Sequence, residues 1–172
     1  MEVTKSSVHP GSVLILGIGN EILTDDGIGP KLVQSLDKSR LPAHISYESA
    51  SLGGLELLEI IQDFDTVFFI DAIRTLKDDP GSVYCYTPDD FKETLHLSNL
   101  HDINFLTALE LGRRTGMKIP SSIKIIAIEI KEDRVFSNSF SPVIQKRYPE
   151  ILSKVQNMLE EFISVPMMGR IG

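Results

Sequence analysis

Two uninterrupted apolar runs, "SVLILG" at 12–17 and "DTVFFIDA" at 65–72, constrain the fold of this chain more than any other feature. A strand with one face in water alternates polar and apolar side chains, so a continuous apolar run closed by Gly or Asp reads as a strand buried on both faces. Such strands need helices above and below, and the chain supplies them. After the first run Ile28, Leu32, Val33 and Leu36 recur at helical spacing, with Pro30 accommodated in a first turn. A weaker strand, "HISYES" at 44–49, precedes a helical stripe of Leu55, Leu58 and Ile61. "GSVYCYT" at 81–87 follows the turn "KDDPG", too short for a helical crossover, and is expected to run antiparallel at or near a sheet edge. Phe105, Ala108, Leu109 and Gly112 mark a helix beginning around His101 and capped by Gly116. "SIKIIAIEI" at 122–130 is the last strand, and "SPVIQKRYPEILSKVQNMLEEFI" a closing helix bent at Pro149.

This alternation predicts an α/β fold: a three-layer α/β/α sandwich around a mostly parallel, twisted five-stranded sheet, with one short antiparallel strand. A chain of 172 residues suits one domain. That domain is expected over 12–165, between a flexible N-terminus at 1–11 and a flexible C-terminal tail at 166–172. The net charge of −7 disfavours nucleic acid, whose affinity for proteins comes largely from Lys and Arg. No stretch approaches the roughly 20 apolar residues that span a bilayer, and the opening residues lack the apolar core of a secretory signal. A cytoplasmic monomer away from membranes is the expectation. The lone Cys85 allows no internal disulfide, and in its strand it reads as a packed side chain rather than a nucleophile.

In a sheet of this kind, functional groups collect outside the carboxyl ends of the strands, where strand order reverses. "LILGIGNEILTDDGIG" at 14–29 looks at first like a dinucleotide loop, since Gly17 and Gly19 form Gly-x-Gly. Ile22 stands where the third glycine would be, and Asp25 and Asp26 would repel a pyrophosphate, so no nucleotide cofactor is expected. The plain structural reading makes Asp25 an N-cap and Asp26 a first-turn acid favoured by the helix dipole. Asp71 changes the balance, because it ends the most hydrophobic strand and meets Asp26 if the first and third strands are neighbours. His101, at the loop-to-helix boundary "SNLHDINF", can reach the same edge. Two carboxylates and an imidazole suit a borderline divalent metal. His96 competes with His101 from the same loop, whereas His9 and His44 are placed elsewhere. "SLGG" at 51–54 reads as a strand-to-helix turn, and neither His-Glu-x-x-His nor Gly-x-Ser-x-Gly is present.

Taken together, these blocks resemble the hydrogenase maturation proteases, which trim the C-terminus of the nickel-iron hydrogenase large subunit. The family's opening pattern, Gly-x-Gly-Asn-x-Leu-x-x-Asp-(Asp/Glu)-Gly-x-Gly after an apolar strand, is similar to "LILGIGNEILTDDGIG". "DTVFFIDAI" resembles its second acidic block, "LHDINFLTALELG" its His block and "IIAIEI" its later strand, in order from about residue 12 to 150. The resemblance implies that Asp26, Asp71 and His101 are the catalytic set and the ligands that contact nickel. It implies that the nickel is contributed by the substrate, the precursor of a nickel-iron hydrogenase large subunit, and serves as recognition element for an endopeptidase. Asp26 stands where some members have Glu, and Arg74 occupies a loop often neutral or acidic in relatives, where it would tune which large subunit is accepted. Either a metal-bound water or a carboxylate can serve as the base. A non-catalytic nickel-binding maturation chaperone, a nucleotide-binding module and a spore-type endopeptidase of similar fold remain alternative readings.

Overall fold

The computed structural model describes residues 11–51, 54–90 and 100–164 and, for residues 100–104, the backbone. The strands are β1 (Val13–Ile18), β2 (Ser46–Ala50), β3 (Thr66–Ile73), β4 (Val83–Tyr86) and β5 (Ser122–Glu129), arranged in the order β2-β1-β3-β5-β4. The β2, β1, β3 and β5 strands pair in parallel, and β4 closes the sheet antiparallel to β5. The short turn before β4 thus had the consequence expected of it. Among the described residues the sheet is flanked by the helices α1 (Ile28–Ser35), α2 (Leu55–Ile61), α3 (Leu100–Arg114) and α4 (Pro142–Ser164).

Each apolar run feeds two cores. Leu14, Leu16, Val67 and Phe69 pack with Leu57, Leu58 and Ile61 of α2 and with Phe105, Ala108 and Leu109 of α3. Ile15, Phe68 and Ile70 point the other way, to Ile28 and Leu32 of α1 and to Ile144, Ile151 and Val155 of α4. Successive strand residues face opposite sides, so this division accounts for the absence of polar alternation. Leu14, Ile15 and Leu16 are fully buried, each contributing about 1.5–3 kcal/mol of burial free energy.

The chain leaves β1 toward β2 on one side and returns across it to β3 on the other. The carboxyl ends of β1 and β3 therefore border the point where strand order reverses. Gly17 pairs with Ile70, which sets Asp71 level with Ile18 at that edge.

Some local expectations shift. The second strand begins at Ser46, leaving His44 exposed in the preceding turn. A 3-10 turn, Thr24–Gly27, precedes α1 and holds both acids of the first loop. Helix α4 runs on through Pro149. The flexible ends expected at 1–11 and 166–172 fall, apart from Gly11, outside the described residues.

Candidate functional site at the carboxyl edge of the sheet

Beyond β1 the chain folds back on itself so tightly that glycine is required. Gly19 has φ 141°, and a Cβ there would lie 2.0 Å from the Asp26 carbonyl oxygen. Its N–H donates to Ala50 O at 3.1 Å, fastening the loop to the end of β2. The next residue, Asn20, donates its backbone N–H to Asp26 Oδ2 at 2.7 Å. Gly29, in the first turn of α1, sits so close to the sheet that a Cβ would lie 2.3 Å from both Ile18 O and Ile70 O. The helix start is therefore pressed directly onto the ends of β1 and β3. These glycines admit a helix to a strand edge, the role glycine also has in dinucleotide folds, while the loop between them presents carboxylate.

Asp71, half-buried near the end of β3, accepts the Ala72 N–H at 2.8 Å through Oδ1. Because β1 and β3 are adjacent, Asp26 and Asp71 come to one edge of the sheet. His101 lies on the backbone of the first turn of α3; its side chain, and all of His96, fall outside the described residues. Among the described residues no three His, Cys, Asp or Glu side chains form a metal-holding group.

Asp25 corrects one expectation. It does not cap a helix: Leu23 is the N-cap of the 3-10 turn and Gly27 that of α1, and neither cap makes a side-chain hydrogen bond. Fully buried, the Asp25 carboxylate instead accepts Ser141 N–H at 2.7 Å, Ser141 Oγ–H at 2.7 Å, Glu132 N–H at 3.0 Å and Lys131 N–H at 3.3 Å. Its own N–H donates to Glu132 O at 3.0 Å. One buried side chain thereby ties the segment after β5 to the loop carrying Asp26.

Two further groups shape this edge. Glu129, 1% exposed, accepts Thr75 N–H at 2.8 Å, Thr75 Oγ1–H at 2.7 Å and Leu76 N–H at 3.1 Å, fixing the loop that leaves β3. Leu76 there has φ 60°, a strained value for a residue with a Cβ. The only sequence signal for Glu129 was a polar residue closing the apolar run Ile125–Ile128. Arg74 Nη1 binds Asp133 Oδ1 at 2.7 Å, joining the loops after β3 and β5, while its buried Nε lacks a hydrogen-bond partner. The backbone N–H of Arg134 holds the Glu132 carboxyl below the usual range, and the Val135 N–H and the Arg74 charge add to it.

Other candidates lie apart. Burial pushes the Cys85 thiol up, Lys124 opposing it, as suits a packed side chain. A cavity of about 590 Å³, lined by Val13, His44, Phe68, Lys124 and Phe162, opens at the amino ends of the strands, opposite the acids.

The family model described as hydrogenase maturation protease matches residues 30–158, which include Asp71 and His101 and begin after Asp26. The chain is 26% identical over 152 residues to the Hydrogenase 2 maturation protease of Escherichia coli (strain K12), covering 87% of this chain and 91% of that one. Among solved structures it is similar to the hydrogenase maturating endopeptidase HybD from E. coli, with TM-score 0.70, 25% identity and coverage of 88% and 93%. The fold is also that of the [NiFe] hydrogenase maturation protease HycI from Thermococcus kodakarensis, with TM-score 0.63, 19% identity and coverage of 87% and 93%.

Proposed function

The chain belongs to the hydrogenase maturation protease family and is a peptidase, and from that premise we propose that it removes a C-terminal extension from the nickel-loaded precursor of a nickel-iron hydrogenase large subunit. The observation that supports this reading best is the placement of Asp26, in the turn that follows β1, and Asp71, on the adjacent parallel strand β3, at the point where strand order reverses. In the proposal these two carboxylates and His101 contact nickel that the substrate brings. Oxygen and imidazole donors bind such an ion while leaving positions for substrate thiolates. Contact with the metal sets the scissile peptide against the carboxylates. Water adds to the peptide carbonyl carbon, the C–N bond breaks, and the leaving nitrogen takes a proton. The water's proton goes to a carboxylate, or is lost more readily from a water polarised by the substrate's metal.

Arg74, anchored by Asp133 in the loop after β3, is proposed to bias which large subunit is accepted. No helix among the described residues is long and apolar enough to cross a membrane. The charge of −7 supports a protein partner rather than nucleic acid, and action as a cytoplasmic monomer is part of the same proposal.

Incubation of the purified protein with nickel-loaded and nickel-free precursor, followed by intact mass, tests the proposal. The extension should be lost from the loaded form alone, and equal cleavage of both would sink nickel recognition. Asp26→Asn and Asp71→Asn should each slow cleavage by about 100-fold or more, the scale of a lost acid–base or positioning group. Unchanged cleavage by either variant would remove that residue from the site.

A further inference from the structure

The large apolar side chains that remain exposed are distributed unevenly. Ile22, Leu55, Leu76, Val135 and Phe136, from 51% to 77% exposed, stand on the segments that leave the carboxyl ends of β1, β2, β3 and β5. Leu111, Met117 and Phe162, toward the opposite end, are 36% to 44% exposed. Among the described residues, the most exposed large apolar side chains therefore rim the edge that carries Asp26 and Asp71.

Phe136, with Val135 and Ile22, has the most determined setting. Leu23 and Ser137 form a parallel bridge, with Thr24 N–H donating to Ser137 O and Ser137 N–H donating to Ile22 O, each at 3.0 Å. Thr24 Oγ1–H donates to the Val135 carbonyl, and the Asp25 carboxylate fastens both ends of the segment through Glu132 and Ser141. The apolar side chains thus project from a segment whose backbone is already fixed to the acid loop. A partner that covers them pays little ordering entropy, and an exposed aromatic on a fixed loop beside polar residues has the character of an interface anchor. Arg134, 85% exposed, together with Glu132 and Asp133, supplies the polar surround.

We propose that Phe136, Val135 and Ile22 form the docking point for the precursor protein, receiving an apolar segment of that substrate beside the scissile bond. The proposal rests on the reading of this edge as the cleavage site. A peptidase must hold a polypeptide at its cleavage site, and this patch is continuous through backbone hydrogen bonds with the loop that bears Asp26.

The test uses the full chain and the nickel-loaded precursor, with initial rates read by intact mass over a range of precursor concentrations. Phe136→Ser should raise KM about tenfold or more with kcat held within about twofold, as expected for a docking anchor. Leu111→Ser, an apolar-to-polar change at an exposed position toward the other end, should leave KM alone. A KM for Phe136→Ser within about twofold of the parent, or an equal rise for Leu111→Ser, would overturn the docking surface and leave the cleavage reading standing. If the parent protein cuts no precursor, the cleavage reading fails, and calorimetry with the same precursor decides the surface separately. Weaker binding by Phe136→Ser alone supports it; equal affinities, or no binding by any form, overturn it.

Discussion

Asp25 and Asp26 are neighbours with opposite fates, and the difference is burial. Asp25 is fully buried with four donors converging on its carboxylate, whereas Asp26 is half-buried and takes the Asn20 N–H at the strand edge. In Asp25→Asn an amide NH2 would face N–H or O–H donors, leaving at least one buried donor unpaired. That substitution should cost about 2–3 kcal/mol of stability, read as a lowered urea midpoint, while Asp26→Asn costs less stability and more activity. Loss of less than about 0.5 kcal/mol from Asp25→Asn would contradict the clamp. The sequence marked the pair as unusual and read Asp25 as the structural acid, which its burial bears out, with Asp26 as the functional candidate. It did not show how Asp25 acts, because its main partner, Ser141, is 116 positions away. No local cap signal carries that distance. Cys85 was readable, since a thiol in an apolar strand is packed whatever its neighbours. Iodoacetamide at pH 8 should therefore modify Cys85 in the native protein much more slowly than in urea, and Cys85→Ser should cleave precursor normally.

At the level of elements, unbroken apolar runs were sufficient to infer a doubly covered sheet, because a strand with no polar face has no other stable environment. The same runs could not show the 3-10 turn at Thr24–Gly27. That turn is imposed by tertiary contacts, above all the bridge from Leu23 to Ser137 and the Asp25 clamp. The glycines were legible as a tight turn but suggested a ligand's phosphate, while the space they vacate is filled by the protein's own backbone. Gly29 tests this. A methyl group placed 2.3 Å from Ile18 O and Ile70 O must push α1 off the sheet, since neither carbonyl can rotate away without breaking strand pairing. Gly29→Ala should lower stability by about 1–3 kcal/mol and also slow cleavage, because the 3-10 turn bearing Asp26 moves with the helix start. A variant as stable as the parent protein would show that α1 does not approach the strands so closely. His101 marks the limit of legibility for the candidate site: its place at a helix start is encoded by the apolar spacing that follows it, but the direction of its imidazole is not.

For the molecule as a whole, acidity should act through carboxylates that the fold has already enlisted. Asp65 shows the pattern. Its Oδ2 accepts Gly11 N–H at 2.8 Å and Ser12 N–H and Oγ–H at 3.2 Å each, and these contacts, the Gly11 bond foremost, with the Lys118 charge hold the carboxyl below its usual range. Its own carbonyl takes the Ser122 N–H, so this one residue joins the starts of β1, β3 and β5. Asp37, Asp90, Glu132 and Glu150 are lowered as well, each first by a hydrogen bond donated to its carboxylate. The sign follows from proton binding. A carboxyl with a depressed folded pKa takes up its proton more readily in the unfolded chain, so its stabilisation is complete above the unfolded value, near 4, and is lost as pH falls through the folded value. Acidification from neutrality toward the pI of about 5.1 also removes net negative charge, which relieves self-repulsion before any of these groups is protonated. The unfolding temperature should therefore hold level or rise slightly from pH 7 to about 5 and fall below about pH 4, and thermal melts followed by circular dichroism at constant ionic strength would trace it. Asp65→Asn should lower the plateau and make the acid limb shallower, since the variant has one fewer proton to take up on unfolding. A melting temperature that keeps rising down to pH 3, or an acid limb unchanged in Asp65→Asn, would show that these hydrogen-bonded carboxylates do not control the acid stability of the fold.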